Sequence, residues 1–245
     1  MTDQDRRSAL LSLAGAAVAG SAIALGGCKK REHRDRDRGD AEDVTANEDL
    51  MREHGVLRRI LIIYRELSPR LLANSAAIDA AALGNAARIF QAFGERYHEQ
   101  LLEEQHIFPI VRKAGGEAAA LVDTLLVQHA RGREITGYIV DRTKTGRIAT
   151  ADAAPLAKAL TAFSRMYEPH TAREDTIVFP AFKQAVGQKG YAELGDQFED
   201  IERKEFGGDG FDMAVARVAD LERSLGTADL GAFTAPPVNR FDRSA

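Results

Sequence analysis

At 245 residues, 44% of them hydrophobic, the chain is long enough to bury a sizeable core within one domain. A formal charge of −4 gives no electrostatic case for binding nucleic acid, and a single cysteine excludes an internal disulfide and any Cys-based zinc or iron–sulfur site. Tryptophan is absent, β-branched alternation is scarce, and Ala, Leu, Glu and Arg abound, so the composition is all-α.

The first 28 residues read as an export signal. Arg6-Arg7 precede an apolar run from Ala9 to Leu25 that ends in Leu25-Gly26-Gly27-Cys28. That ending resembles the lipobox of bacterial lipoproteins, in which the cysteine becomes the lipidated first residue and anchors the chain to a membrane. Arg6 to Leu11 resembles a twin-arginine export signal, with Ala9 where a larger apolar residue is usual. The implied location is the periplasmic face of a bacterial membrane. Residues 29–46 follow as a tether. Between Lys29 and Asp43 six basic and six acidic residues cancel and no apolar face exists, which makes His33 a solvated residue.

Residues 47–187 predict four long helices. Helix A starts near Asn47 as N-cap and carries the stripe Leu50, His54, Leu57, Leu61 and Tyr64, with Ser68-Pro69 predicting a break or kink. Helix B runs from about Ile78 to Lys113. Helix C runs from about Glu117 to Lys144, with Val122, Leu125, His129, Thr136 and Ile139 on one face. Helix D runs from near Thr150 to near Gly187, and its apolar series Leu156, Leu160, Phe163, Tyr167 continues through His170, Glu174 and Ile177. Over 188–227 two shorter amphipathic helices are expected, carrying Leu194, Phe198, Ile201, Phe206 and then Phe211, Val215, Val218, Leu221, Leu225. They should pack on the bundle or close a homodimer. Residues 228–245 read as a loose tail.

A histidine and a glutamate therefore stand where a core-facing helix D should carry leucine. A buried carboxylate without a partner costs several kcal/mol, and a metal ion is the partner that fits. The pattern is duplicated. Tyr97 to Val111, YHEQLLEEQHIFPIV, also runs from a histidine through acids to Phe-Pro. Each copy follows a helix with one histidine, His54 in EHGVLRR and His129 in QHARGRE, at offsets of 71–75 residues. Four histidines, one per helix, with two carboxylates make a nitrogen and oxygen set suited to iron, manganese or zinc. Two duplicated ligand groups favour two ions over one.

With these residues in view, 47–187 resembles a bacterial hemerythrin-like (HHE cation-binding) domain, whose repeats typically end in Phe-Pro. The resemblance implies an up-down-up-down four-helix bundle with two added C-terminal helices, and a di-iron centre with carboxylate plus oxo or hydroxo bridges. By position it implies His54 from A, His98 and a glutamate from B, His129 from C, and His170 and Glu174 from D as metal ligands. Two departures stand out. His98 to Glu103 is a step of five, about 140° on a regular helix, which a one-turn π-bulge would correct. Glu103 is the expected ligand, with Glu99, Glu104 and His106 as substitutes. Oxygen-carrying hemerythrins also use a second histidine on the third helix, where this chain has Leu125 and Arg133. That leaves a position for water, Glu99 or Glu134.

The function expected is a cell-envelope non-heme di-iron protein that binds dioxygen or nitric oxide. The alternatives are a di-iron peroxidase or ferroxidase, and a non-catalytic iron or zinc storage or sensing module.

Overall fold

The computed structural model describes residues 44–238; the export signal, Cys28, the tether with His33 and the last seven residues of the tail lie outside the described residues. Among the described residues there are helices and turns and no strand. They are α1 (Ala46–Asn74), α2 (Ala80–Ile89), a π-helical stretch (Phe90–Ile107), α3 (Phe108–Ala114), α4 (Gly116–Thr143), α5 (Thr150–Arg173), a short π-helical segment (Glu174–Val178), α6 (Phe179–Phe206) and α7 (Gly210–Leu225). No helix among these is long and apolar enough to cross a membrane.

The N-cap of α1 is Thr45, whose hydroxyl accepts from Glu48 N, and not Asn47 as the sequence suggests. Asn47 instead sits inside the first turn, with its side-chain amide donating to the Phe179 carbonyl at 2.9 Å. Pro69 does not break α1. The helix continues to Asn74, held by buried Leu67 and Leu71 and by Ser68 Oγ, which donates to the Ala157 carbonyl at 2.9 Å. Tertiary packing overrides the local preference here.

Neighbouring rods run antiparallel. Along α1 and α5, His54 meets Asp175 just beyond the end of α5, and Ser68 meets Ala157. Along α1 and the π stretch, Glu53 meets His98, and Gly94 lets the backbone approach Leu57, where an added Cβ would sit 3.0 Å from the Leu57 side chain. Along the second rod (α2, the π stretch and α3) and the third (α4), Arg112 pairs with Asp123 at one end and Gly84 abuts Thr143 at the other; α5, the short π segment and the first part of α6 make the fourth. Gly132 against Tyr167 and Arg142 near Asp152 align α4 with α5.

One end of this interior is an aromatic block. Phe163 lies against Tyr64 (ring centroids 5.6 Å), Phe90 (4.8 Å) and Tyr167 (4.6 Å), and all four rings are buried. The block ends on Tyr167, whose ring lies 5.0 Å from that of His170. α6 keeps the direction of the fourth rod to Gly187, where φ is +66° and the helical geometry is interrupted. Beyond it α6 brings Phe206 against Phe93 and Tyr97, and α7 ties back through Arg59 to Glu222. The tail is not wholly loose: Leu230–Phe233 forms a 3-10 turn capped by Asp229.

Candidate metal centre

Both halves reach the centre through the same backbone device. Phe108 N–H donates to the Glu103 carbonyl and Phe179 N–H to the Glu174 carbonyl, five residues back in each case. These are π turns, and each is followed by the proline of Phe-Pro in the first turn of the next α-helix, where its missing N–H is least costly. The π-type bonding expected between His98 and Glu103 is present, but it is longer than one turn. The π hydrogen bonding there extends over Phe90–Ile107, and a second π turn occurs in the fourth rod. In the π stretch a step of five closes about one turn, so His98 and Glu103 face the same way. In the fourth rod, His170 and Glu174 are a normal α-helical step apart. The π turn after Glu174 also shifts the core seam: Val178 is fully buried and Ile177 is only partly so, contrary to the expected series.

The structure brings all six of His54, His98, Glu103, His129, His170 and Glu174 together, each no more than 3% exposed. Three groups of three meet the spacing that would hold an ion: His54, His98 and Glu103; His129, His170 and Glu174; and, on the outer side of His129, Glu99 and Glu104 with His129 itself. Glu103 and Glu174 span the first two groups. Glu103 Oε1 is 3.6 Å from His98 Nε2 and its Oε2 is 3.4 Å from His129 Nε2. Glu174 Oε2 is 3.1 Å from His170 Nε2 and 3.5 Å from His54 Nε2, and its Oε1 is 3.9 Å from His129 Nε2. Every inward nitrogen is thus an Nε2. All four oxygens of Glu103 and Glu174, and His98 Nε2, are buried without a hydrogen-bond partner. Such orphaned acceptors are rare in a folded interior, and cations satisfy them.

The outward Nδ1 atoms are all engaged. His54 Nδ1 lies 2.7 Å from Asp175 Oδ1, and Arg58 pairs with the other oxygen of Asp175. His98 Nδ1 lies 2.5 Å from Glu53 Oε2. His129 Nδ1 lies 2.9 Å from Glu104 Oε1, which also pairs with Arg133. His170 Nδ1 lies 2.9 Å from Gln128 Oε1. Acceptors at Nδ1 favour a proton there, so that an ion displacing the proton at Nε2 would meet a lone pair, the arrangement that metal-binding histidines use; between themselves, His129 Nε2 and His170 Nε2 are hydrogen-bonded at 3.2 Å.

The electrostatics favour added positive charge. Burial works against a charged His98, yet Glu103 and Glu53 hold it well above its usual range. His129, opposed by burial, is pushed up to about 10 by Glu99, Glu103 and Glu104. Burial and the nearby Glu103 raise Glu174. Burial, and after it the charge on neighbouring His98, lower His54 to about 4.

Of the other acids and the histidine near Glu103, Glu99 and Glu104 lie on the outer side of His129 and His106 lies away from the centre. Glu104 serves the outer nitrogen of His129, and His106 packs on Phe198 with ring centroids 5.8 Å apart. Glu99 is buried on the His129 side, where it accepts from Tyr167 OH and from Arg133 Nη2 (3.2 Å). Glu134, a candidate for the open position, is instead exposed and paired with Arg131. Glu53, Asp175 and Gln128 carry no motif of their own in the sequence, although each directly adjoins a site residue. Phe108 and Phe179 likewise carry no role legible in the sequence beyond the Phe-Pro ending. Phe179 stacks on His54 (5.4 Å, 25°) and Phe108 on His129 (5.5 Å, 20°), which holds each imidazole plane.

Residues 45–182 match the family described as the Hemerythrin HHE cation binding domain. The chain is 45% identical over 192 residues to uncharacterized proteins of Mycobacterium bovis and of Mycobacterium tuberculosis strains CDC 1551 and H37Rv, covering 78% of this chain and 74% of each relative. No solved structure matches.

Proposed function

We propose a function on the premise that this chain belongs to the hemerythrin HHE cation-binding family, as the match over more than half its length requires. The reading is a non-heme di-iron protein that binds dioxygen or a related diatomic such as nitric oxide. Its fold is then the up-down-up-down four-helix bundle, with the second half of α6 and α7 as two added helices. His54 and His98 would hold one ion and His129 and His170 the other, with Glu103 and Glu174 placed among both pairs. Manganese or zinc would fit the same donors.

The observation that carries this reading is the set of four orphaned carboxylate oxygens aimed among four Nε2 atoms in a buried interior. Bound iron supplies one-electron chemistry toward a diatomic ligand; the residues present the donors, fix their orientation and exclude water. Leu125 and Arg133, where a further imidazole would be needed, offer none: Leu125 is buried and Arg133 is engaged with Glu99 and Glu104. With only two imidazoles for each ion, the centre keeps open positions at which a diatomic would bind. Metal analysis of the isolated protein should find two irons per chain. Stopped-flow mixing of the reduced protein with oxygen should give a new visible absorption band. No such band with oxygen, and none with nitric oxide, removes the reading.

Peroxide or ferrous-ion turnover is the second reading. It is favoured by the contact between Tyr167 OH and Glu99, a carboxyl whose pKa burial raises, so that a proton can be held beside the centre. Steady consumption of hydrogen peroxide with an electron donor, lost in His170→Ala, would support it over reversible binding. The lipobox-like Cys28 and Arg6-Arg7 support a place at the cell envelope with a lipid anchor. Replacing Arg6-Arg7 by Lys-Lys should block export, and normal export would remove the twin-arginine route.

A further inference from the structure

The groups behind the histidines repeat with the two halves of the chain. The residue four after the first histidine of each half is an arginine, Arg58 or Arg133. The residue after each central glutamate is an acid, Glu104 or Asp175. Each arginine pairs with the acid from the other half, and each acid accepts from the first histidine: Asp175 with Arg58 on His54, Glu104 with Arg133 on His129. The residue before the first histidine completes the pattern by reaching the second histidine of its own half, Glu53 to His98 and Gln128 to His170. Here the halves differ. One acceptor is a carboxylate and the other an amide.

The difference has a direct chemical consequence. A carboxylate draws the Nδ1 proton toward itself and moves electron density onto Nε2, which makes the imidazole a stronger donor to a cation. An amide oxygen accepts the same proton but carries no charge. Glu53 is fully buried, and among the described residues it forms no ion pair with Lys or Arg, so its charge is directed at His98. Glu99 does not restore the balance. Its oxygens are taken by Tyr167 and Arg133, and its near approach is to His129 Nδ1, at 3.9 Å.

We infer that the two metal positions are unequal by construction: the ion at His54 and His98 is held more tightly, and the ion at His129 and His170 is released first, with Glu53 and Gln128 as the residues that set the order. This inference rests on the two-ion reading above.

The test is a competition titration of the metal-free full-length protein with Co(II) against a chromophoric chelator. Two ions should bind, with dissociation constants about 10–100-fold apart, the range for loss of one such outer partner. Gln128→Glu should tighten the weaker position and narrow the gap, and Glu53→Gln should weaken the tighter one. In histidine-labelled protein, the ring signals of His54 and His98 should be perturbed by the first equivalent of Co(II). In the double variant Glu53→Gln, Gln128→Glu, those of His129 and His170 should be perturbed first. If Glu53→Gln does not fold, Gln128→Glu alone carries the test. Two ions of equal affinity, or a gap that Gln128→Glu leaves unchanged, overturns the inference while the two-ion reading stands. Failure to bind two ions at all overturns both.

Discussion

Glu174→Gln tests whether the centre of the bundle is organised for cations or is an ordinary polar core. The substitution keeps volume, so no cavity term enters. In the metal-free protein the Glu174 carboxylate is fully buried, faces Glu103 and has no hydrogen-bond partner for either oxygen. Removing its charge should therefore raise metal-free stability by about 1–3 kcal/mol, the range for an unsatisfied buried polar group. Metal should act with the opposite sign. An ion at 1,000 times its dissociation constant stabilises the folded state by about 4.1 kcal/mol. For a domain of this size that is a rise in Tm of about 8–16 °C. Glu174 lies against histidines of both positions, so a 100-fold loss of affinity would remove about 2.8 kcal/mol of that gain. Thermal unfolding followed by circular dichroism, with Fe(II) under anaerobic conditions and with Zn(II), reads both signs. The variant should unfold at a higher temperature than wild type without metal and show less than half the metal-induced shift. A metal-free Tm several degrees below wild type would mean that Glu174 is held by ordinary hydrogen bonds. An undiminished metal shift would mean that it does not face the ions.

Phe179→Ala should cost about 3–5 kcal/mol in chemical denaturation, because a fully buried ring is removed, and chelators should strip metal faster because His54 loses its stacking partner. Gly132→Ala should destabilise by about 1–3 kcal/mol, although Gly to Ala in a helix normally helps, because the new Cβ would lie 2.7 Å from Tyr167 OH. Gly137→Ala on the same helix meets nothing within 4 Å and should be neutral or stabilising, so equal effects at the two sites would refute the packing argument. Burial pushes Glu95 up from 4.5 to about 7. Its proton is thus held more tightly in the folded than the unfolded state. Its contribution is complete below about pH 4.5 and lost as pH rises through 7, a change of about 3 kcal/mol. Asp49 and Glu202 are raised in the same sense, to about 6 and about 7. Urea midpoints of Glu95→Gln between pH 5 and 8 should fall less steeply than those of wild type, and identical slopes would refute the assignment.

Much of the architecture was legible because the periodicity is strong. The stripe Leu50, His54, Leu57, Leu61, Tyr64 and its counterparts in α4 and α5 are buried as spaced. What escaped the sequence had specific physical reasons. Pro69 sits in a helix whose packing outweighs its local preference, and Thr45 displaces Asn47 as cap by two residues. Hydrogen bonding of the π type leaves no compositional mark, so its extent over Phe90–Ile107, and the shift from Ile177 to Val178 in the core, could not be read from spacing calibrated on α-helices. The acceptors behind the histidines, three acids and one amide, are polar residues next to singled-out ones, and in sequence they are indistinguishable from a solvated face. Glu134 and Glu104 illustrate this: both are acids one residue from a named neighbour, and only the fold sends one to Arg131 at the surface and the other to His129.

The duplicated π turns explain why an irregular sequence step and a Phe-Pro pair belong together. Each central glutamate must project its carboxylate between the histidine of its own rod and one across the centre, while the phenylalanine that follows must lie flat on that opposite imidazole. On a regular helix residues five apart diverge by about 140°, and both demands cannot be met by one rod. Closing the turn with the i to i−5 bond from Phe108 to Glu103, and from Phe179 to Glu174, brings glutamate and phenylalanine to the same face one turn apart. The carboxylate then enters the centre and the ring closes over His129 or His54. Proline at the next position has no N–H to restore α-helical bonding backward, so it stabilises the wider turn relative to its α-helical competitor. A deletion of one residue between His98 and Phe108 therefore should not merely regularise the helix. It would send either Glu103 or Phe108 away from the centre, and the loss of metal binding in a chain of unchanged helix content would be the measurable consequence.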